Sequence, residues 1–244
     1  TVPAGASNIA GSKAIVIEAI APTVTAFTSS TADGTYAIGA TVSISATTSE
    51  AIQSGNTLTV TLETGATDRT VTLTAASAGT SLTGTYTVQS GDTTSDLTVA
   101  SFPIGTVLDT AGNAMTSTTV PSGASNIAGA KAIVVDTTAP TQTVGSIDIS
   151  ADTGSSDSDF TTTTASQTIT ATLSAGLGTG ETLWASVNGG STYADITTTS
   201  VSTTAISWAG AILLGSSSIK FQVRDAAGNV GATETQVYVL DATA

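Results

Sequence analysis

The sequence has no cysteine and no histidine, only five Lys and Arg against 18 Asp and Glu, and 4% aromatic residues. Without cysteine there are no disulfides and no thiol chemistry, and the redox compartment is not written in the bonds. The lack of both residues also removes the usual general-base and nucleophile pairs, which argues against catalysis. Paired carboxylates could serve a glycosidase, but the acids here sit in Gly/Ser-rich turns with little aromatic surface to hold a sugar. The net charge of −13 argues against nucleic acid, whose binding rests on Lys and Arg neutralising phosphates. No window approaches the length of an apolar membrane-spanning helix. No signal peptide is recognisable, so the chain reads as an excerpt or a processed form.

What is present is 40% hydrophobic, mostly Val, Ile, Leu and Ala interleaved with Thr and Ser, a mixture that favours pleated strands over helices. Residues 1–23, TVPAGASNIAGSKAIVIEAIAPT, return at 119–141 as TVPSGASNIAGAKAIVVDTTAPT, with 17 of 23 positions identical. Recurrence at a fixed spacing marks a tandem array. Each copy runs from a turn into a β-branched strand, meets an acid (Glu18, Asp136) and ends in Ala-Pro-Thr. It reads as the last strand of one domain plus the linker into the next. The chain therefore divides into residues 1–22, 23–136 and 137–244, the first being a strand and linker without the domain they should close.

Between these copies short alternating segments recur. Thr41–Ala46 and Thr57–Glu63 have period two, as do Arg69–Ala75 and Ser81–Val88, and weaker strands are expected at Asp96–Ser101 and Thr106–Leu108. Gly55-Asn56, Gly65 and Gly91-Asp92 punctuate them as turns. The last third repeats the plan, with strands at Thr143–Ser150, Gln167–Leu173, Glu181–Val187, Tyr193–Thr198, Ala205–Ala209, Ser218–Arg224 and Thr235–Leu240, and a hairpin turn at Asn188-Gly189-Gly190. No stretch has a helical period. The expected fold is all-β, two Ig-like antiparallel β-sandwiches in tandem, with Trp184 and Trp208 plugging the second core. Lys131 and Lys220 lie in strands, but no spacing marks either for a Lys–Asn isopeptide crosslink.

Residues 23–136 resemble the SWM-type repeats of very large bacterial surface proteins. The resemblance is carried by Ala32-Asp-Gly-Thr-Tyr36, Ser49-Glu-Ala-Ile52, Leu62-Glu-Thr-Gly65, Tyr86-Thr-Val-Gln-Ser-Gly-Asp92, Asp109-Thr-Ala-Gly-Asn113 and Lys131-Ala-Ile-Val-Val-Asp136. Residues 137–244 resemble the bacterial Ig-like repeats of giant adhesins, through Asp136-Thr-Thr-Ala-Pro140, Asp152-Thr-Gly-Ser-Ser-Asp157 and Asp225-Ala-Ala-Gly-Asn-Val230. The linker after Ile17 departs from the pattern, with Glu18-Ala19-Ile20 in place of Asp-Thr-Thr. The resemblance implies an extracellular, cell-surface stalk stiffened by calcium at domain junctions, and no catalysis.

Calcium takes six to eight oxygens, best supplied by carboxylates and loop carbonyls. An Ig-like topology would bring Asp33, Asp136 and Asp225 together at the junction. It would leave Asp152, Asp157, Asp159 and Asp241 for a following domain, and Asp109 with Glu18 for a preceding one. The alternative is that these acids are turn residues, since Asp before Gly or Asn caps turns unaided.

Two functions follow. One is a stalk whose partners are neighbouring repeats of its own chain. The other is a self-assembling subunit of a surface filament or layer, in which residues 1–18 complete the sheet of another copy. A carbohydrate-binding module around Trp184 or Tyr193 would require those rings to be exposed.

Overall fold

The structure, a computed structural model, describes residues 17–241. It is almost entirely β, as the alternating patterns require. The described residues divide into two compact units, one built from 17–34, 39–88 and 94–134, the other from 35–38, 89–93 and 135–241.

The first part of the chain forms β1 (Val24–Thr28), β2 (Gly34–Tyr36), β3 (Thr41–Ile52), β4 (Thr57–Glu63), β5 (Arg69–Thr74), β6 (Gly79–Thr87), β7 (Thr93–Thr94), β8 (Thr98–Ser101) and β9 (Ile133–Asp136). Six of these make a sheet in the order β1-β3-β6-β5-β4-β8, and the three short ones make a second sheet, β2-β9-β7. The period-two reading holds at the level of side chains: Val42, Ile44 and Ala46 on β3 and Leu58, Val60 and Leu62 on β4 are all fully buried, while the Thr and Ser between them stay at least partly exposed. Burial of each large aliphatic side chain contributes about 1.5–3 kcal/mol, so these two strands anchor the core.

The second unit is a sandwich of two sheets. One holds β10 (Val144–Ile149), β12 (Ser166–Leu173), β16 (Ala205–Ile212) and β15 (Val201–Ser202). The other holds β11 (Thr161–Thr162), β18 (Glu234–Leu240), β17 (Ser217–Arg224), β13 (Thr182–Ser186) and β14 (Ala194–Asp195). Ile169, Leu183, Ile219, Phe221 and Tyr238 fill the space between them. The Tyr238 hydroxyl donates to Val187 O at 2.6 Å, so its one polar atom is satisfied.

Three expectations need correction. The segment Tyr193–Thr198 is a strand only at Ala194–Asp195, because Asp195 Oδ1 accepts from Thr197 N and Thr197 Oγ1 and turns the chain into a single helical turn, Thr197–Ser200. The segment Thr106–Leu108 is not a strand; Leu108 instead makes an isolated bridge to Ala114. Of the two tryptophans, Trp208 packs half-buried against the core with its ring edge-on to Phe221, whereas Trp184 lies on the outer face under Arg224.

The repeated motif GASNIAGAKAIVVD also contains more than a turn and a strand. Gly123–Ser125 is a 3₁₀ turn and Ile127–Ala130 a single helical turn. Between them the buried Asn126 accepts from Val99 N and Ile127 N through Oδ1 and donates to Val99 O through Nδ2. Four residues are too few to show a helical period, which is why the sequence pattern is silent there. The first copy of this motif lies outside the described residues, as does most of the expected donor strand 1–18. No helix among the described residues is long and apolar enough to cross a membrane.

Because Asn126 satisfies both backbone groups of Val99, Asn126→Ala leaves buried polar groups unpaired, a loss of about 2–4 kcal/mol. Calorimetry should show the first unit unfolding earlier and the second unit's transition unmoved.

Candidate functional site

The hairpin Asp109–Asn113 is closed by its own side chains. Asp109 Oδ1 accepts from Gly112 N at 2.6 Å and Asn113 N at 2.7 Å, and Oδ2 accepts from Asn113 Nδ2 at 2.7 Å. Gly112 has φ +100°, a conformation that favours glycine. The Asn113 amide also donates to the carboxylate of Glu18. The hairpin is tied to the end of β3 by Gln53 N to Leu108 O, Thr110 N to Ala51 O and Gln53 Nε2 to Asp109 O. This seam carries Glu50 to the same place. Glu18, Glu50 and Asp109 each present a carboxylate oxygen within 4.8 Å of the others, and Glu50 Oε1 is buried without a hydrogen-bond partner.

The second unit repeats the hairpin, although its acids do not cluster as tightly as Glu18, Glu50 and Asp109 among the described residues. Asp225 Oδ1 accepts from Asn229 N at 2.9 Å, and Oδ2 accepts from Asn229 Nδ2 at 2.8 Å. The same amide donates to Asp136 O at 2.9 Å. Asp136 and Asp225 line one cleft with Thr138, Pro140 and Glu181. Glu181 accepts from Gly178 N and Gln142 Nε2, and Gln142 Oε1 is left buried and unpartnered.

The electrostatics of the first cluster split its acids. Burial and the nearby Glu18 and Asp109 carboxylates push the Glu50 carboxyl above its ordinary value. Burial also acts to raise Asp109, but its bonds from Asn113 and Gly112 outweigh it and hold the group at about 2. Three acids so arranged offer the oxygen donors that a hard cation takes. Calcium binds oxygens at 2.3–2.6 Å, so opposed ligands across it stand about 5 Å apart, which matches the spacing of this cluster.

Asp33, expected with Asp136 and Asp225, belongs to the first unit, where its Oδ1 accepts from Ala132 N at 3.2 Å. In the loop 152–159, Asp152 Oδ2 accepts from Phe160 N at 2.8 Å. Asp159 accepts from Thr161 N, Ser155 Oγ and Ser156 N, and the Thr161 bond, followed by those from Ser155 and Ser156, overcomes burial to lower its pKa. Asp157 is exposed, and Asp241 is anchored by its backbone N to Thr162 O. These loop acids do not form a cluster as tight as that of Glu18, Glu50 and Asp109 among the described residues. Asp152 and Asp159 instead staple their own loop, although Asp152 Oδ1 is buried and unpartnered.

Glu50 and Glu181 are the residues that sequence reasoning missed. Glu50 stands at the end of a strand whose alternation predicts only an exposed position, and its approach to Asp109 depends on the Ile52–Asp109 bridge. Glu181 sits at the start of an expected strand, with no other acid near it in sequence.

No protein-family model matches the chain, and no curated protein matches it. Among solved structures it is similar to the fibronectin(III)-like modules of Clostridium thermocellum CbhA, at 12% identity over 90% of this chain and 94% of that one, TM-score 0.33. It is similar to the FN1-FN3 domains of chicken CNTN1, at 11% identity over 91% of this chain and 69% of that one, TM-score 0.40. It is also similar to a tetra-tandem repeat in the extending region of a large adhesion protein, at 20% identity and TM-score 0.26; 91% of this chain covers half of that one, 50%.

Without metal, the raised Glu50 pKa means that its ionisation opposes folding at neutral pH, and this cost is relieved as pH falls through the raised value. Asp109 acts in the opposite sense: its contribution is present above pH 3.8 and is lost as pH falls through about 2. In chelator at pH 7, Glu50→Gln should therefore raise the melting temperature of the first unit. The gain over the parent should vanish near pH 4, where Glu50 is itself protonated.

Proposed function

We propose that this chain is a structural spacer, a stalk segment of a large extracellular bacterial adhesin, in which calcium stiffens the leading end of each repeat. It performs no catalysis. The observation that carries the reading is the cluster of Glu18, Glu50 and Asp109, with a buried carboxylate oxygen that no protein group satisfies. Its counterpart, Asp136, Glu181 and Asp225 around one cleft, supports the same reading for the second unit. In each set one acid comes from the segment entering the repeat (Glu18 before it, Asp136 at the end of β9), one from the sandwich and one from the Asp-x-x-Gly-Asn hairpin. A cation held by all three would tie the incoming linker to the body of the repeat. The loop acids Asp152, Asp157, Asp159 and Asp241 are candidates for a further ion, with Asp152 Oδ1 as the unsatisfied ligand.

Thermal unfolding with millimolar calcium against chelator tests this. Ion at about 100 times its Kd stabilises a folded site by about 2.7 kcal/mol, which for a domain of this size is a rise on the order of 10 °C. Glu50→Gln should abolish the rise for the first unit alone, and Asp136→Ala for the second alone. Small-angle scattering should show a longer, narrower particle with calcium. Identical curves in calcium and chelator would refute the calcium device and leave these acids as turn residues and solubilisers.

A further inference from the structure

We infer that the outer face of the β13/β17 sheet in the second unit binds a carboxylate-bearing sugar. Two of the five basic residues in the chain, Lys220 and Arg224, lie on the same strand. Their side chains emerge on the outward side, since Ile219, Phe221 and Val223 between and beside them are buried. Arg224 is held in place from three directions. Its guanidinium lies 4.3 Å from the centre of the Trp184 ring and 5.4 Å from that of Tyr193. With its amide oxygen turned toward the arginine, Gln222 accepts from Nε and one Nη. Trp184 is itself fixed by Nε1 donating to Thr182 Oγ1 at 2.9 Å. Tyr193 leans over Gly190, where a Cβ would stand 3.1 Å from its hydroxyl and 3.4 Å from Lys220 Cδ. Lys220, Tyr193, Arg224 and Trp184 thus form one continuous row.

No acid forms an ion pair with this row among the described residues. The nearest in register is Asp195, opposite Trp184, and its carboxylate is spent on Thr197 N and Oγ1. Neither Lys220 nor Arg224 has an ion-pair partner among the described residues. In a chain with 18 acids, two unpaired cations beside two rings are out of keeping with chance placement. A guanidinium has five N–H donors. Gln222 takes two of them, and those remaining match the planar fork of a carboxylate.

Both rings are half-buried and give the row an apolar wall beside the guanidinium. Beside them the Tyr193 hydroxyl and the Lys220 ammonium are suited to sugar hydroxyls. A carboxylate-bearing sugar fits better than a second copy of this chain, whose own −13 charge opposes close approach. The inference is independent of the calcium reading, and it gives the second unit a ligand as well as a length.

The test is titration of the chain with galacturonic acid oligomers, followed by tryptophan fluorescence and calorimetry, with galactose oligomers as the neutral control. Chelator is present throughout, so that an ion shared between the sugar and the acidic loops cannot account for binding. The acidic oligomer should bind and the neutral one should not, with affinity falling as salt rises. Arg224→Gln should weaken binding at least tenfold and Lys220→Gln about threefold. The melting temperature of each variant separates lost binding from lost folding.

Equal binding of both oligomers, no binding by the parent chain, or full binding by a folded Arg224→Gln would overturn the proposal. So would self-association of the parent chain in sedimentation that Arg224→Gln abolishes, since the face would then belong to a second copy.

Discussion

The hydrogen bonds of one asparagine amide set the leading end of each unit. Asn113 closes the hairpin of Asp109 and reaches the linker acid Glu18; Asn229 does the same with Asp225 and the Asp136 carbonyl. An amide has only two N–H groups, and here both go to anionic or carbonyl oxygen. The hairpin is thereby locked in a shape that points carboxylates at the linker. The cost is burial of charge together with repulsion between the acids, visible in the raised Glu50 pKa, because the amide neutralises nothing. A site that is well positioned and electrostatically uncomfortable by itself is what the proposed metal-dependent joint would require.

Much of the fold was legible because it depends on near neighbours in sequence. The alternation of Thr57–Glu63 survives intact as β4, with each expected inward residue buried. The Asp-x-x-Gly-Asn hairpins were recognisable because one Asp, one Gly at positive φ and one Asn close a turn locally. Asp109 with Glu18 was also within reach, since an Ig-like topology puts the hairpin and the entering linker at the same end of a domain.

What was not legible depends on register between distant strands. Glu50 meets Asp109 only because Ile52 bridges to it, and a slip of one residue would send Glu50 to the other face. The Arg224 row has the same origin. Thr182 stands opposite Arg224 and Trp184 opposite Gln222, a pairing that no local pattern encodes. The role of Asn126 was hidden for a related reason: its partner Val99 lies 27 residues away, and the helical turn it caps is too short to leave a periodic trace.

The placement of charge follows from these two kinds of constraint. The acids concentrate in turns and linkers, where hairpin geometry holds them against the backbone or against each other. Lys220 and Arg224 lie instead on a sheet face, where side chains stand perpendicular to the strands and neighbours are set by pairing. Had Arg224 served only to balance charge, the acidic loops would be its natural partners, and a lysine would do as well. It lies instead between two rings and a buried glutamine, an environment that fixes the plane of the guanidinium rather than its charge. Fixing that plane matters for a planar ligand and is wasted on diffuse neutralisation.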